Sequence, residues 1–133
     1  MDNQKAKSGS EKLNQVLESL NTEGGFPISI LTDSQGLAIA SAATDGMNAD
    51  RQSAVVAFIQ KTAVQVSKQL GFSGSEEISL LDTEGKHLIC RSFKVNHFDL
   101  ILSVMVPDRG SSYRRVTANA IKRIIEVWSE YWE

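Results

Sequence analysis

Hydrophobic positions along the chain follow two rhythms, one helical and one alternating. Leu13, Val16, Leu17 and Leu20 fall at helical spacing, and Ser8 and Glu11 have the spacing of a capping box ahead of them. They predict a short amphipathic helix that ends before Gly24-Gly25. Two strand-like runs follow, Phe26 to Thr32 and Leu37 to Ala42, joined by Asp33-Ser34-Gln35-Gly36, in which Asp braces a turn and Gly supplies a left-handed residue. Asn48 or Asp50 can cap a long helix that runs to Leu70 and stops at Gly71.

The second half repeats this logic. Glu77 to Leu81 and Lys86 to Lys94 read as another hairpin, whose turn Asp82-Thr83-Glu84-Gly85 has the chemistry of the first. Phe98 to Val106 is a fifth strand, reached through Asn96-His97, since Asn tolerates positive φ. After Pro107 breaks the pattern, Ser111 or Ser112 can cap a final amphipathic helix from Tyr113 to Trp132. The element order is α-β-β-α-β-β-β-α. Leu100, Leu102 and Val104 occupy one face of the last strand while Ile101 and Met105 occupy the other, so both faces of the sheet need cover. The expected fold class is therefore α/β: a three-layer α-β-α sandwich around a five-stranded antiparallel sheet, two helices on one side and one on the other.

With 133 residues, 41% hydrophobic and 23% charged, the chain has the makeup of one globular domain. We expect a flexible N-terminal tail over residues 1–9 and a single domain over 10–133. The net charge of -2 gives no general attraction to nucleic acid or anionic lipid. Cys90 is the only cysteine, which suits a reducing compartment, and Met1 to Ser10 lacks the apolar stretch of a secretory signal. A cytoplasmic location, without membrane or nucleic-acid contact, is the expectation.

Catalytic constellations are missing from the pattern. His87 and Cys90 lie three apart on one strand and should point to opposite faces, which prevents a shared metal, and His97 sits in a turn. The two Asp-x-x-Gly segments join strands and read as turns rather than nucleotide switches. Neither a phosphate-binding glycine loop nor a Gly-x-Ser-x-Gly elbow occurs. No enzyme activity, cofactor or metal is expected.

Two helices carry the remaining information. On the middle helix, Val55, Ile59, Thr62, Ala63, Val66 and Leu70 form the expected core face. A second row, Ser53, Ala57, Gln60, Val64 and Ser67, steps by four, three, four and three residues; it is uncharged and mostly small, which predicts a helix-to-helix seam. On the last helix, Val116, Ala120, Ile124, Val127, Trp128 and Tyr131 make a stripe, widened by Ile121, Ile125 and Trp132, that reads as packing against the sheet and the first helix. Its basic residues Arg114, Arg115, Lys122 and Arg123 are moderated by Glu126 and Glu130 and read as a solvated face.

The order of these elements, the Leu13-x-x-Val16-Leu17-x-x-Leu20 helix and the segment Ile28-Ser29-Ile30-Leu31-Thr32-Asp33-Ser34-Gln35-Gly36-Leu37-Ala38-Ile39-Ala40 together resemble the Roadblock family, whose branches include dynein roadblock light chains and MglB-like regulators. The resemblance runs from Glu11 to Trp132. It implies a homodimer in which the middle helices pair and the third strands, Glu77, Ile78, Ser79, Leu80 and Leu81, join two sheets edge to edge. It further implies a non-catalytic regulator or scaffold for a small Ras-like GTPase, MglA-like in the MglB branch, where the partner's GTP hydrolysis is stimulated without an arginine finger. On that model the partner surface includes Arg51, Gln52, Lys61, Gln65 and Lys68, while Arg109, in the loop before the last helix, is a loop arginine without an assigned role. Two other classes stay open: a structural adaptor in a larger motor or signalling assembly, and a small-molecule sensor with a ligand between helix and sheet.

Overall fold

The computed structural model describes residues 2–132. Helix α1 (Asp2–Gly24) is followed by strands β1 (Ile28–Asp33) and β2 (Ala38–Ala43), helix α2 (Ala49–Leu70), strands β3 (Glu77–Leu81), β4 (His87–Val95) and β5 (Phe98–Val106), and helix α3 (Arg114–Trp132). The strands form one antiparallel sheet in the order β2-β1-β5-β4-β3, so β5, the most apolar strand, is central and β2 and β3 are its edges. This is the three-layer arrangement with five antiparallel strands that the hydrophobic pattern predicts.

Both Asp-x-x-Gly segments close their hairpins by the same device. Asp33 Oδ1 accepts from the backbone N–H of Gln35 and Leu37 at 2.9 and 3.0 Å, and Asp82 Oδ1 accepts from Glu84 and Lys86 at 2.9 and 2.8 Å. Asn96 takes the left-handed conformation at the β4–β5 turn. Asn48, rather than Asp50, caps α2 by accepting from Arg51 N–H at 2.9 Å, and Gly71 ends the helix with φ 73. Before α3, Ser111 does not cap: its hydroxyl donates to Asp108 within the loop at 3.0 Å.

Helices α1 and α3 cover one face. Leu13, Val16, Leu17 and Leu20 of α1 meet Ala120, Ile124 and Trp128 of α3 over Leu31, Ile89, Leu100, Leu102 and Val104 in the main core. Helix α1 begins at Asp2, well ahead of the Ser8 cap: residues 2–9, expected as a tail outside the domain, extend it, and Gly9 is buried against the Trp132 ring. A bulkier residue at Gly9 would collide with that ring, so the glycine permits the close helix crossing.

Helix α2 alone covers the other face, and its phase differs from the expected one. The buried residues are Gln52, Ser53 and Val56, above a small cluster of Val56, Leu88, Cys90 and Ile101. Val55, Val66 and Leu70, expected in the core, are 42%, 46% and 60% exposed. The reason is close approach: small side chains let the helix sit low on the sheet, where Gly36 of the β1–β2 turn faces Ala57 so tightly that a Cβ on it would lie 2.3 Å from the Ala57 Cβ. Bulky residues are turned outward by that seat.

Candidate protein-interaction surface

Helical periodicity divides the uncovered part of α2 into two flanks. Ile59 packs with Ile78, Leu88 and Cys90, so its flank overlooks β4 and the edge strand β3. Val55, Thr62 and Val66 lie four before, three after and seven after Ile59, hence on the same flank. On β3, Ile78 and Leu80 pair with Cys90 and Leu88 and so share this face of the sheet; Leu80 is 62% exposed. The outer edge of β3 pairs with no strand of the described residues. An apolar helix flank therefore adjoins an apolar, open sheet edge, which is the combination that strand addition uses.

The opposite face of β3 is held by ionic and hydrogen-bonding contacts. Tyr113 Oη donates to Glu77 Oε2 at 2.8 Å, Arg91 and Arg114 approach the same carboxylate at 3.9 and 3.7 Å, and Arg91 Nη1 donates to Thr117 Oγ1 at 2.8 Å and to the Arg114 carbonyl at 3.0 Å. Burial pushes the Tyr113 phenol above its ordinary pKa, and the hydrogen bond to Glu77 adds to the shift. His87 stacks edge-on to Tyr113 with ring centroids 5.6 Å apart. These contacts tie the edge strand to β4 and to the start of α3, and so fix its position.

The row expected as a seam, Ser53, Ala57, Gln60, Val64 and Ser67, is brought together on the other flank of α2, facing the β1–β2 turn rather than β3. Ser53 is 7% exposed, and Ala57 lies against Gly36, so the first part of this row is the helix's seat on its own sheet, while Gln60, Val64 and Ser67 line hollows beside it. Only Val64, 44% exposed, keeps much free surface. Among the residues expected to face a partner, Arg51, Lys61, Gln65 and Lys68 are exposed. Gln52 is not: it is 7% exposed and its Nε2 donates to Ser103 Oγ at 3.1 Å beneath the helix. Phe58, 72% exposed and opposite the sheet-facing side of α2, is not singled out by periodicity, although a Phe beside Ala54 on an otherwise polar face is the signal that marks it.

His87 and Cys90 point to opposite faces of the sheet, toward Tyr113 and toward α2 respectively. Burial pushes the Cys90 thiol up to about 11. Among the described residues no group of three His, Cys, Asp or Glu side chains is placed to hold a metal ion, and no helix is long and apolar enough to cross a membrane. Arg109 is exposed in the β5–α3 loop, its backbone N lying 3.2 Å from where a Cβ on Gly85 would stand.

A sheet of this order with helices disposed two and one, and with α2 beside an open β3 edge, defines a Roadblock-like fold. Its solved counterparts include MglB of Myxococcus xanthus (TM-score 0.77, 16% identity, 92% of each chain covered) and the gliding protein MglB of Thermus thermophilus (0.73, 18%, 92% of each). A Roadblock/LC7 domain from Streptomyces avermitilis is also similar (0.69, 12%, 89% of this chain and 95% of that one). At these identities the likeness is one of fold. No protein-family model and no curated protein matches the sequence.

Proposed function

We propose that the chain is a non-catalytic homodimer that binds and regulates a small Ras-like GTPase. The observation that carries this reading is the uncovered apolar flank of α2 beside the open edge of β3, in a fold shared with MglB. Two copies related by a two-fold axis perpendicular to the sheet at the β3 edge satisfy each other's backbone groups and bring the Val55, Val66 and Leu80 surfaces together. Pairing of the α2 helices then leaves Arg51, Phe58, Lys61 and Gln65 on the outside of a helical platform, with Phe58 as its aromatic anchor. Stimulation of the partner's GTP hydrolysis belongs to the proposal, with the protein acting by positioning the partner's own residues.

The test is capture of a GTPase from native lysate by the purified dimer, loaded in parallel with GDP and a GTP analogue, followed by single-turnover GTP hydrolysis with the captured protein. Nucleotide-dependent capture and faster hydrolysis support the reading. Recovery of motor or scaffold subunits without a GTPase replaces it with an adaptor role.

A further inference from the structure

The flank of α2 that faces away from β3 borders an open trough. Two hollows, about 500 Å³ at the Phe72 end and about 610 Å³ at the Phe58 end, adjoin each other and share Ser34, Gln60, Val64 and Lys68 in their linings. One wall is the C-terminal half of α2; the other is the β1–β2 turn together with the β4–β5 end of the sheet, and the α2–β3 linker, Phe72 to Ser75, closes the far end. From Phe58 to the helix end at Leu70 the wall rises roughly 18 Å, the span of about five residues of extended peptide.

Its chemistry is amphipathic and one-signed. Phe58, Val64 and Phe72 are 72%, 44% and 62% exposed, a line of apolar surface with no cover in the chain. Gln60, Ser67 and Ser92 supply uncharged hydrogen-bonding groups between them. Lys61 and Lys68 stand on the helix wall and make no ion pair among the described residues. The lining sets Lys61, Lys68 and Lys94 against one carboxylate, that of Asp99, which pairs with Lys94 at 3.0 Å. The trough is thus locally positive in a chain of net charge -2.

From this complementarity we propose that the trough binds a short acidic peptide segment of a partner protein, apolar side chains against Phe58, Val64 and Phe72 and carboxylates toward Lys61 and Lys68. A single-stranded nucleic acid fits less well, because two unpaired lysines release few counterions and the wall presents aliphatic as well as aromatic surface. The α2 flank that lines the trough faces away from β3, so the site is one per chain and separate from the proposed dimer contact, while at Phe58 and Lys61 it adjoins the proposed GTPase platform.

The probe is a fluorescein-labelled heptapeptide alternating Glu with Leu and Phe, followed by fluorescence anisotropy. A counterpart with Lys for every Glu and a labelled oligothymidylate serve as comparisons. We expect saturable binding at one peptide per chain, weakened about tenfold by the double variant Lys61→Glu, Lys68→Glu and by Phe72→Ser, and unchanged by Leu80→Asp at the β3 edge. Circular dichroism checks that each variant is folded; these residues are exposed, so the fold should hold. Absence of saturable binding, equal binding of the lysine peptide, preference for oligothymidylate, or loss of binding in Leu80→Asp alone each overturns the proposal.

Discussion

The proposed dimer face makes a demand that two valines of one helix can test against each other. Val66 and Val64 are similarly exposed, 46% and 44%, but lie on opposite flanks of α2, toward β3 and toward the trough. At roughly 70 Å² of free surface on Val66 and about 25 cal/mol per Å², covering it contributes about 2 kcal/mol per copy, and the two-fold axis doubles the effect. Val66→Glu removes that contribution and places two carboxylates near the axis without partners, adding several kcal/mol of desolvation cost. Even the apolar loss alone, about 3 to 4 kcal/mol, weakens association by at least two orders of magnitude. Val64→Glu, by contrast, adds a charge at a surface that stays open in the dimer and leaves the dissociation constant within a few fold. Sedimentation equilibrium gives both constants, and circular dichroism confirms that both variants are folded. A dimer that survives Val66→Glu but dissociates in Val64→Glu refutes the β3-side arrangement and puts the small-residue row of α2 at the axis instead.

Three further outcomes follow from single sites. Gly36→Ala should lower stability by about 2 to 4 kcal/mol in chemical denaturation, because positive φ and the Ala57 contact act together, whereas Gly46→Ala, with φ 88 and open space around it, should cost only about 1 kcal/mol; equal losses would show that the α2 seat is not tight. Asp82 should titrate below its ordinary 3.8, foremost because the Lys86 N–H bonds its carboxylate; the stability it lends is present above that range and lost as pH falls through the lowered value, so Asp82→Asn should match the parent protein only in strong acid, and an NMR titration midpoint above 3.8 contradicts this. Cys90 should resist a thiol reagent at pH 8 in the folded protein and react on unfolding, and since its thiol is held to about 11, stability should decline as pH rises from about 9 toward 11; rapid native-state labelling would show the cluster beneath α2 to be open.

The sheet and the α1–α3 layer were legible in the sequence because their signals are local and agree with one another. Alternation in β5, two identical Asp-x-x-Gly turns and a clean helical stripe in α3 each specify one arrangement. The phase of α2 was not legible. Its larger apolar residues suggest a core face of Val55, Val66 and Leu70, yet the sheet beneath is approached so closely at Gly36 that Gln52, Ser53 and Val56 fit there and the valines do not. Gln52 is the instructive residue: in sequence it is a polar helix position beside Arg51, and only the tertiary contact with Ser103, fifty-one residues away, makes it an interior group. Periodicity finds a stripe but does not say whether a sheet or a second chain covers it.

The asymmetry between the two faces of the sheet points to the role of α2. On one face two helices enclose a core of large side chains; on the other a single helix rests on a four-residue apolar cluster, a polar contact at Gln52 and the backbone of a turn. A helix seated on small residues forgoes the burial that Val55, Phe58, Val64, Val66 and Leu70 could each supply, on the order of 1 to 2 kcal/mol apiece. Such a surface forgoes stability in the isolated chain and marks a candidate interaction face. The two flanks of α2 differ in what they can accept: a second apolar edge beside β3, and an acidic segment along the trough. On the two proposals, one helix separates self-association from the binding of an acidic segment by facing them in opposite directions, so either contact can change without disturbing the other.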